Sequence, residues 1–304
     1  MAGMLDLGIV VVNYNVCELL RRCLASVFAS QGAVTFRVCV VDNASADGSV
    51  AMLEAEFPQV ELVANTANVG YPAANNQGLR HLGAAGRPRH YLLLNPDTEV
   101  PPAGLSRLVA YLDARPTIGV LGPRVALADG SLDLACRRGF PTPETSFYRM
   151  IGLSRLFPRS ARFGRYNMTF LDEFETAEVD SVVGACMLVR GAAVDKVGLL
   201  DERFWMYGED LDWAKRIKDA GWKVVYYPEV TVRHVKGASS RQNDRAQTEF
   251  HRAMLIFYYK HYRPATGWLL HLLVIAGIAL KGGPAVYPFV KSGPRILCPR
   301  AGAG

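Results

Sequence analysis

The chain has few cysteines for its length, and their spacing argues against two common uses of the residue. Six cysteines are spread over 304 residues, and no two of them form a CxxC pair. Closely spaced cysteines are typical of structural zinc sites and of thioredoxin-like redox sites. Here they stand mostly within apolar runs, which predicts small, reduced core side chains in a cytoplasmic protein.

Glycine-rich phosphate-binding loops are missing as well. No GxGxxG follows the first predicted strand, and no GxxxxGK[ST] occurs anywhere in the chain. Both loops bind nucleotide phosphates through backbone N–H groups at the start of a helix. A dinucleotide-binding fold of the usual kind and a P-loop NTPase are therefore disfavoured. A bound phosphate would need another partner, and a metal ion is the obvious one.

The sequence also lacks a hydrophobic run long enough to cross a bilayer, which takes about 20 residues. Its apolar segment at 268–280 is shorter and is interrupted by His271. The first residues lack the basic region of a secretory signal and run straight into a strand pattern, so we expect a cytoplasmic main domain.

The positive charge is concentrated in the C-terminal part of the chain. The formal net charge is +6, yet the residues from Arg233 onward carry eleven Lys/Arg and two acids, which leaves about −3 for the remainder. Nucleic-acid binding by the main domain is therefore not suggested. The basic and apolar tail fits an anchor lying on a membrane surface. It also fits a terminal helix that packs on the domain.

The first hundred residues repeat a pattern of buried strand, polar turn and helix four times. Such a repeat predicts an α/β fold with a mostly parallel sheet. Each strand ends in a polar cluster, and open α/β sheets bind ligands at the carboxyl ends of their strands. The predicted strands are 7–12, 36–41, 60–64 and 91–94, and the polar clusters are 13–15, 42–49, 68–71 and 95–98.

The pattern is less regular after residue 114. Strands are predicted at 118–122, 124–126, 223–227 and 230–235, and the core resumes at 179–190. Residues 141–178 are rich in Arg, Phe and Pro with weak periodicity. This segment fits a partly ordered surface excursion or a mobile flap over the site.

Three carboxylates lie close together in the stretch from Phe204 to Trp213. Apolar residues then recur at helical spacing, so we expect a helix that begins near Glu209 and ends before Gly221. Acidic residues in a first helical turn stabilise the helix dipole by about 0.3–1 kcal/mol. They are also candidates for acid–base chemistry. This stretch alone does not separate the two interpretations.

Taken together, the polar motifs resemble the family 2 glycosyltransferases, which have the GT-A fold. The similarity is greatest to the rhamnosyltransferase-like branch of bacterial surface polysaccharide biosynthesis. The matching motifs occur in family order and cover residues 7 to about 240. They are 9–15, 41–49, 68–71 with 75–78, 94–98, 184–190, 197–202 and 206–212.

The resemblance implies a nucleotide pocket at the ends of the first strands. Asp42 would accept the imide N–H of uracil or thymine; without the other motifs it would be a turn cap. Glycine at position 70 would let the backbone approach the ligand closely. The residues expected around the nucleotide are Asn13, Tyr14, Asn15, Asp42, Asn43, Asn68, Gly70, Asn75 and Asn95.

The resemblance also implies a divalent metal, Mg²⁺ or Mn²⁺, bound to the donor diphosphate. Asp97 would be the direct ligand and His234 would complete the site. The family's first acid is replaced here by Asn95, a departure that occurs in the rhamnosyltransferase-like branch. Lys236 and Arg241 are candidates for phosphate contacts.

Asp210 is the expected general base, with Glu209 as the second candidate. Inverting transfer needs a carboxylate that removes the proton of the acceptor hydroxyl. Asp212 would orient or cap the helix. Gly184, Trp205 and Tyr207 are expected on the acceptor side, although core packing explains the two aromatic residues equally well.

These expectations describe an inverting enzyme that moves a hexosyl unit, with rhamnose from dTDP-rhamnose favoured, to a polyprenyl-linked or glycan acceptor. We expect a GT-A domain over 1–242, with a nucleotide-binding half (1–100) and an acceptor half (101–242). Residues 243–304 would form a helical tail on the inner face of the cell membrane. Two alternatives are a sugar-1-phosphate nucleotidyltransferase, whose GxGxRxxP-type signature is absent, and a degenerate, non-catalytic nucleotide-sugar-binding module.

Overall fold

A computed structural model describes residues 5–84, 86–235 and 246–298. Lys236, Arg241 and the predicted domain boundary at 242/243 lie outside these ranges. Among the described helices, none is both long and apolar enough to cross a membrane.

The first half of the chain forms four parallel strands with intervening helices. The strands lie in the order β3-β2-β1-β4. The predicted strands are confirmed to within one residue at each end. The elements are β1 (Leu7–Asn13), α1 (Cys17–Phe28), β2 (Phe36–Asp42), α2 (Ser49–Glu56), β3 (Glu61–Ala64), α3 (Tyr71–Ala84) and β4 (His90–Leu94).

The second half extends this sheet to nine strands. An antiparallel strand, β8, joins β4 to β6, and the full order is β3-β2-β1-β4-β8-β6-β9-β5, with β7 also paired to β9. The elements are β5 (Thr98–Glu99), α4 (Gly104–Asp113), β6 (Ile118–Ala126), α5 (Pro143–Met150), α6 (Leu153–Leu156), β7 (Ala177–Val179), β8 (Cys186–Arg190), α7 (Gly191–Val197), α8 (Glu209–Asp219), β9 (Lys223–His234), α9 (Ala246–His261), α10 (Trp268–Gly282) and α11 (Tyr287–Ser292).

Two strand predictions were wrong in the same way. Segments 118–122 and 124–126 form the single strand β6. Segments 223–227 and 230–234 lie in the single strand β9, which ends one residue before the predicted end at 235. Pro123 and Pro228 lie at the two predicted breaks, and proline lacks the N–H that a sheet ladder needs. The pairing of β6 with β9 instead shifts register between Pro123 and Arg124, so an irregularity accommodates both prolines.

The main core lies between the sheet and its helices. β1 and β4 are buried along their whole length, as expected for strands covered on both faces. Four of the six cysteines are buried, and all six are free thiols. Burial raises the pKa of the Cys136 thiol to about 11, so this side chain acts as a neutral core residue.

A second, smaller core joins the C-terminal helices to α8. Phe204 and Leu211 pack in one cluster with Leu255, Ile256 and Phe257 of α9. Helix α9 is therefore part of the packed domain.

A buried carboxylate strengthens this attachment. Asp212 of α8 is inaccessible to solvent and contacts Arg216 at 2.9 Å, Lys260 at 2.7 Å and His261 at 2.7 Å. Burial alone would raise the pKa of Asp212, but His261, Lys260 and Arg216 together hold it below its ordinary value. Asp212 thus has a structural role, as the buried partner of side chains of α8 and α9 rather than as the predicted helix cap.

We expect Asp212→Asn to lower the free energy of unfolding by about 3 kcal/mol, because it leaves partly buried cations without their counter-charge. Urea unfolding at pH 7 measures the change. The matched control is Asp219→Asn, whose exposed pair with Lys215 is expected to contribute less than about 0.5 kcal/mol. Equal losses in the two variants would contradict the role given to Asp212.

The stability of the wild type is also expected to fall on acidification. Because the folded-state pKa of Asp212 is lowered, its contribution is present above the unfolded-state pKa of about 4 and is lost as pH falls through the folded value. Unfolding curves measured between pH 6 and pH 2 should show a smaller acid-dependent loss in Asp212→Asn than in the wild type.

Candidate active site

The ends of β1 and β2 bring the predicted nucleotide residues together. Asn13 and Asp42 are register partners, and the Asn13 Nδ2 donates to Asp42 Oδ1 at 2.8 Å. Asp42 Oδ2 also accepts from the Ser45 backbone N–H at 2.8 Å. Asp42 is therefore a turn cap in this structure. A carboxylate has about four acceptor positions, so capping leaves room for a further donor such as a pyrimidine N–H.

The loops that follow β1 and β2 are hydrogen-bonded to each other beside Asn13 and Asp42. Asn15 has a left-handed backbone (φ 53°), and its Oδ1 accepts from the Ala46 N–H at 2.8 Å. The Asn43 N–H donates to the Asn13 carbonyl, and the Asn43 side chain accepts from Asn65. Tyr14 is half-buried beside them. These residues form one hydrogen-bonded polar cluster at the edge of the sheet.

Gly70 makes a close approach, and its partner within the chain is Trp205. A Cβ at Gly70 would lie 2.6 Å from the Trp205 ring, and its φ of +90° also favours glycine. The adjacent Tyr71 N–H donates to the Trp205 carbonyl at 2.9 Å, and Asn68 Oδ1 accepts from the Gly70 N–H. The close approach that the structure shows is to Trp205, and the predicted approach of Gly70 to a ligand stays a prediction.

The hydroxyl of Tyr71 links the end of β4 to the residues before β8. It lies 3.0 Å from Asn95 Oδ1 and 3.1 Å from the Gly184 carbonyl, and its single hydrogen can be donated to one of them at a time. Burial, followed by the charges of Glu209 and Asp210, raises the pKa of Tyr71. Tyr71 was not among the predicted site residues, although it closes the Asn68–Tyr71 motif.

Asn75 supports the same tyrosine from the next turn of α3. Its Nδ2 donates to the Tyr71 carbonyl at 2.9 Å. Its Oδ1 is buried and has no hydrogen-bond partner within the described part of the chain. A buried amide oxygen in this state has capacity for a donor.

Asp210 is buried at the start of α8 and is held on both oxygens. Oδ2 accepts from Arg138 Nη2 at 2.5 Å and from the Gly184 N–H at 3.0 Å, while Oδ1 accepts from the Leu211 N–H at 2.7 Å. These three donors fix the orientation of the Asp210 carboxyl group. Gly184 thus contacts the predicted base through its backbone.

The contact of Arg138 with Asp210 was not predicted from the sequence. Arg138 is buried, its guanidinium also donates to the Val182 carbonyl at 3.1 Å, and its backbone pairs with Ser181 in an isolated bridge. The segment from 141 to 178 separates Arg138 from these partners along the chain, so no local pattern links them. Its one signal is the pair Arg137 and Arg138 directly after the apolar Leu134–Cys136 turn.

Glu209 is buried beside Asp210, but no ion pair of its carboxyl group is found among the described residues. Burial, together with the charge of Asp210, raises the pKa of Glu209 to about 8. Its Oε2 makes no hydrogen bond to any described residue. At neutral pH the Glu209 carboxyl is therefore mainly protonated.

A strained turn positions both carboxylates. Tyr207 and Gly208 have left-handed backbones with φ of 69° and 79°, and at Tyr207 this costs about 1 kcal/mol or more. The Tyr207 ring contacts Phe250 of α9 edge to face, with centroids 5.9 Å apart. Tyr207 and Trp205 are half-buried. Part of their surface therefore serves packing, and part faces solvent.

Asp97 and His234 come together beyond the end of β4. Thr98 pairs with His234 across β5 and β9, and His234 Nε2 lies 3.1 Å from Asp97 Oδ1 without hydrogen-bond geometry. His234 Nδ1 lies 3.6 Å from Asp133. Burial alone would lower the pKa of His234, but Asp133 and Asp97 raise it to about 9.

The donor set at this position fits a hard divalent cation. A carboxylate oxygen and an imidazole nitrogen, both buried, are ligands that Mn²⁺ accepts. No group of three or more potential ligands is gathered anywhere in the described ranges. A metal here would need further oxygens from its substrate.

The comparisons with known proteins agree with this architecture. A family model described as "Glycosyltransferase like family 2" matches residues 6–249. The chain is 31% identical over 271 residues to the N-acetylglucosaminyl-diphospho-decaprenol L-rhamnosyltransferase of Mycobacterium tuberculosis, which covers 86% of each protein.

Solved structures confirm the predicted fold class. GalNAc-T7 with UDP, GalNAc and Mn²⁺ superposes with a TM-score of 0.57 at 15% identity, covering 96% of this chain and 57% of that one. A mannosyltransferase from Pyrobaculum calidifontis with GDP-Man and Mn²⁺ gives 0.55 at 18% identity, covering 96% and 74%. The chain therefore belongs to glycosyltransferase family 2, has the GT-A fold and is a rhamnosyltransferase-like glycosyltransferase.

Proposed function

We propose that the protein is an inverting glycosyltransferase in which Asp210 is the general base. The observation that carries the proposal is the buried Asp210 carboxylate, which Arg138 and the Gly184 N–H hold at the ligand-binding edge of the sheet. The Tyr71 hydroxyl connects this position to Asn95, two residues before Asp97. Base and diphosphate site thus belong to one polar network.

In the proposed reaction, Asp210 takes the proton of an acceptor hydroxyl while the oxygen of that hydroxyl attacks the anomeric carbon of the donor. The bond from that carbon to the diphosphate breaks on the opposite face, and the nucleoside diphosphate leaves. Arg138 orients Asp210 without contacting the substrate. Glu209 is the second candidate for the base.

The nucleotide would bind at Asn13, Tyr14, Asn15, Asp42 and Asn43, with Asp42 accepting the imide N–H of a pyrimidine. Asn68, Gly70, Asn75 and Asn95 would complete this wall, and Lys236 and Arg241 would contact the phosphates. The favoured donor is dTDP-rhamnose, because the relative from Mycobacterium tuberculosis is named a rhamnosyltransferase.

Asp97 and His234 would hold Mg²⁺ or Mn²⁺ together with donor phosphate oxygens. When bound, the ion neutralises negative charge on the departing diphosphate. Two structural neighbours contain Mn²⁺, which supports a divalent ion at this edge of the fold.

The acceptor would lie against Gly184, Trp205 and Tyr207. A polyprenyl-linked acceptor is favoured, since the relative from Mycobacterium tuberculosis is named for a decaprenol-linked one. The enzyme would then work at the inner face of the cell membrane, attached peripherally. A non-catalytic nucleotide-sugar-binding module remains the competing function, and the experiments below separate the two.

Replacing the base should stop chemistry without preventing donor binding. We expect Asp210→Asn to lower kcat by about 10³-fold with little change in the KM for the donor, as for loss of a general base. Glu209→Gln should cost about tenfold or less. Transfer assays with dTDP-rhamnose and a lipid-linked acceptor measure both. Near wild-type rates in Asp210→Asn would remove Asp210 as the base.

The pH dependence of kcat/KM provides an independent test of which carboxylate is the base. A base must be unprotonated, so Glu209, with its pKa raised to about 8, would give a rate that climbs until about pH 8. A rate that does not rise between about pH 6 and pH 8 would exclude Glu209 as the base. Arg138→Met should lower kcat, because the Asp210 carboxylate loses the guanidinium that orients it. An unchanged kcat in that variant would refute the positioning role of Arg138.

Nucleotide and metal preference can be read from thermal stability. We expect dTDP or UDP sugars with Mn²⁺ to raise the unfolding temperature, and GDP sugars not to. Asp42→Asn should weaken this preference and Asp97→Asn should abolish the Mn²⁺-dependent part. Asp129→Asn, in an exposed turn, is the control. A preference for GDP would contradict the pyrimidine contact of Asp42.

A further inference from the structure

Helix α10 exposes an apolar face to solvent. His271, Val274, Ile275 and Ile278 form the more buried stripe of the helix, while the opposite side carries large apolar residues. Trp268 is 73% exposed and Leu280 is 83% exposed. A helix on the surface of a water-soluble domain normally turns polar residues outward. The outward residues here are Trp268, Leu269, Leu272, Leu273, Ala276 and Leu280.

A second set of exposed apolar residues adjoins α10. Residues at the end of α5 and around α6 are exposed, namely Phe147, Met150, Ile151, Leu156 and Phe157. A Cβ at Gly277 of α10 would lie 3.4 Å from the Met150 sulfur, so the two helices are in contact. We call the outward residues of α10 together with these five the apolar face. Large contiguous apolar patches mark interaction surfaces.

The charge around the apolar face is mainly positive. Residues 250–304 contain seven Lys/Arg and no acid. From the start of α5 to residue 171 there are five Arg and one acid, Glu144, which pairs with Arg162. Within the described ranges, Arg155, Arg159, Lys281 and Lys291 make no ion pair. Clusters of basic residues beside apolar helices favour anionic lipid surfaces, and a tryptophan at the helix end suits the headgroup region.

We propose that the apolar face docks on an anionic lipid bilayer through two elements, α10 and the α5–α6 segment. The sequence predicted a membrane anchor in the C-terminal tail alone. For residues 141–178, which contain the α5–α6 segment, it indicated a flap or a surface excursion, so a lipid contact of this segment is new. The proposal deepens the proposed function and rests on it only for the lipid-linked nature of the acceptor.

Both elements lie only a few residues along the chain from side chains that contact α8. The chain passes from Arg138, the partner of Asp210, to the start of α5 at Pro143 in five residues. On the other side, Lys260 and His261 at the end of α9 bind Asp212, and α10 begins seven residues later. Docking of the apolar face would therefore fix α8 relative to the bilayer surface.

Vesicle flotation of the full chain, without donor or acceptor, tests the proposal. The wild type should bind phosphatidylglycerol vesicles and not neutral phosphatidylcholine vesicles, and binding should weaken at high salt. Leu269→Ser with Leu273→Ser on α10, and separately Phe147→Ser with Ile151→Ser on α5, should each reduce binding at least tenfold. Phe174→Ser, which removes a still more exposed aromatic residue outside the face, is the control.

Each outcome has a defined meaning. Unchanged binding in the Phe147/Ile151 variant would overturn the two-element surface. A wild type that fails to bind, but forms a dimer lost in the α10 variant, would assign the face to a second copy of this chain. Unfolding temperatures of the variants verify folding, and transfer to a water-soluble acceptor analogue should remain at wild-type rates. A wild type that binds vesicles but shows no transfer to this analogue would count against the proposed function alone.

Discussion

The structure depends on burying three carboxylates within one turn of a helix. Glu209, Asp210 and Asp212 are all nearly inaccessible at the start of α8. An isolated buried charge is strongly unfavourable, so each must be neutralised or paired. The helix dipole contributes to all three, but only by about 0.3–1 kcal/mol each. Partners from distant parts of the chain supply the rest.

Each carboxylate meets this constraint in its own way, and each solution recruits a different part of the fold. Glu209 retains a proton, Asp210 pairs with Arg138, and Asp212 binds cations of α8 and α9. Arg138 reaches its place because its backbone pairs with Ser181. Neighbouring acids in nearly the same position thus differ in protonation state, which is a common basis for dividing roles between carboxylates.

Features of the fold and the site could be predicted where their signal lies within a few residues of the sequence. The strands of the first half were predicted closely because β-branched runs and polar turns are signals within a few residues. The cluster around Asp42 followed from the rule that parallel strands end at one edge. Arg138, Tyr71 and the attachment of α9 were missed, because they depend on contacts between residues 26 to 113 positions apart. The breaks predicted at Pro123 and Pro228 were wrong, because β6 and β9 pair on both sides of these prolines.

The contact of Asp212 with α9 has a consequence for recombination between relatives. A catalytic helix and a C-terminal extension that share one buried charge cannot be exchanged independently. In chimeric enzymes α8 and α9 would have to come from the same parent, and a chain shortened before α9 would leave Leu211 and Asp212 uncovered. Helix α9 must then be exchanged together with α8, which carries the proposed base, even though no residue of α9 is placed at the reacting atoms.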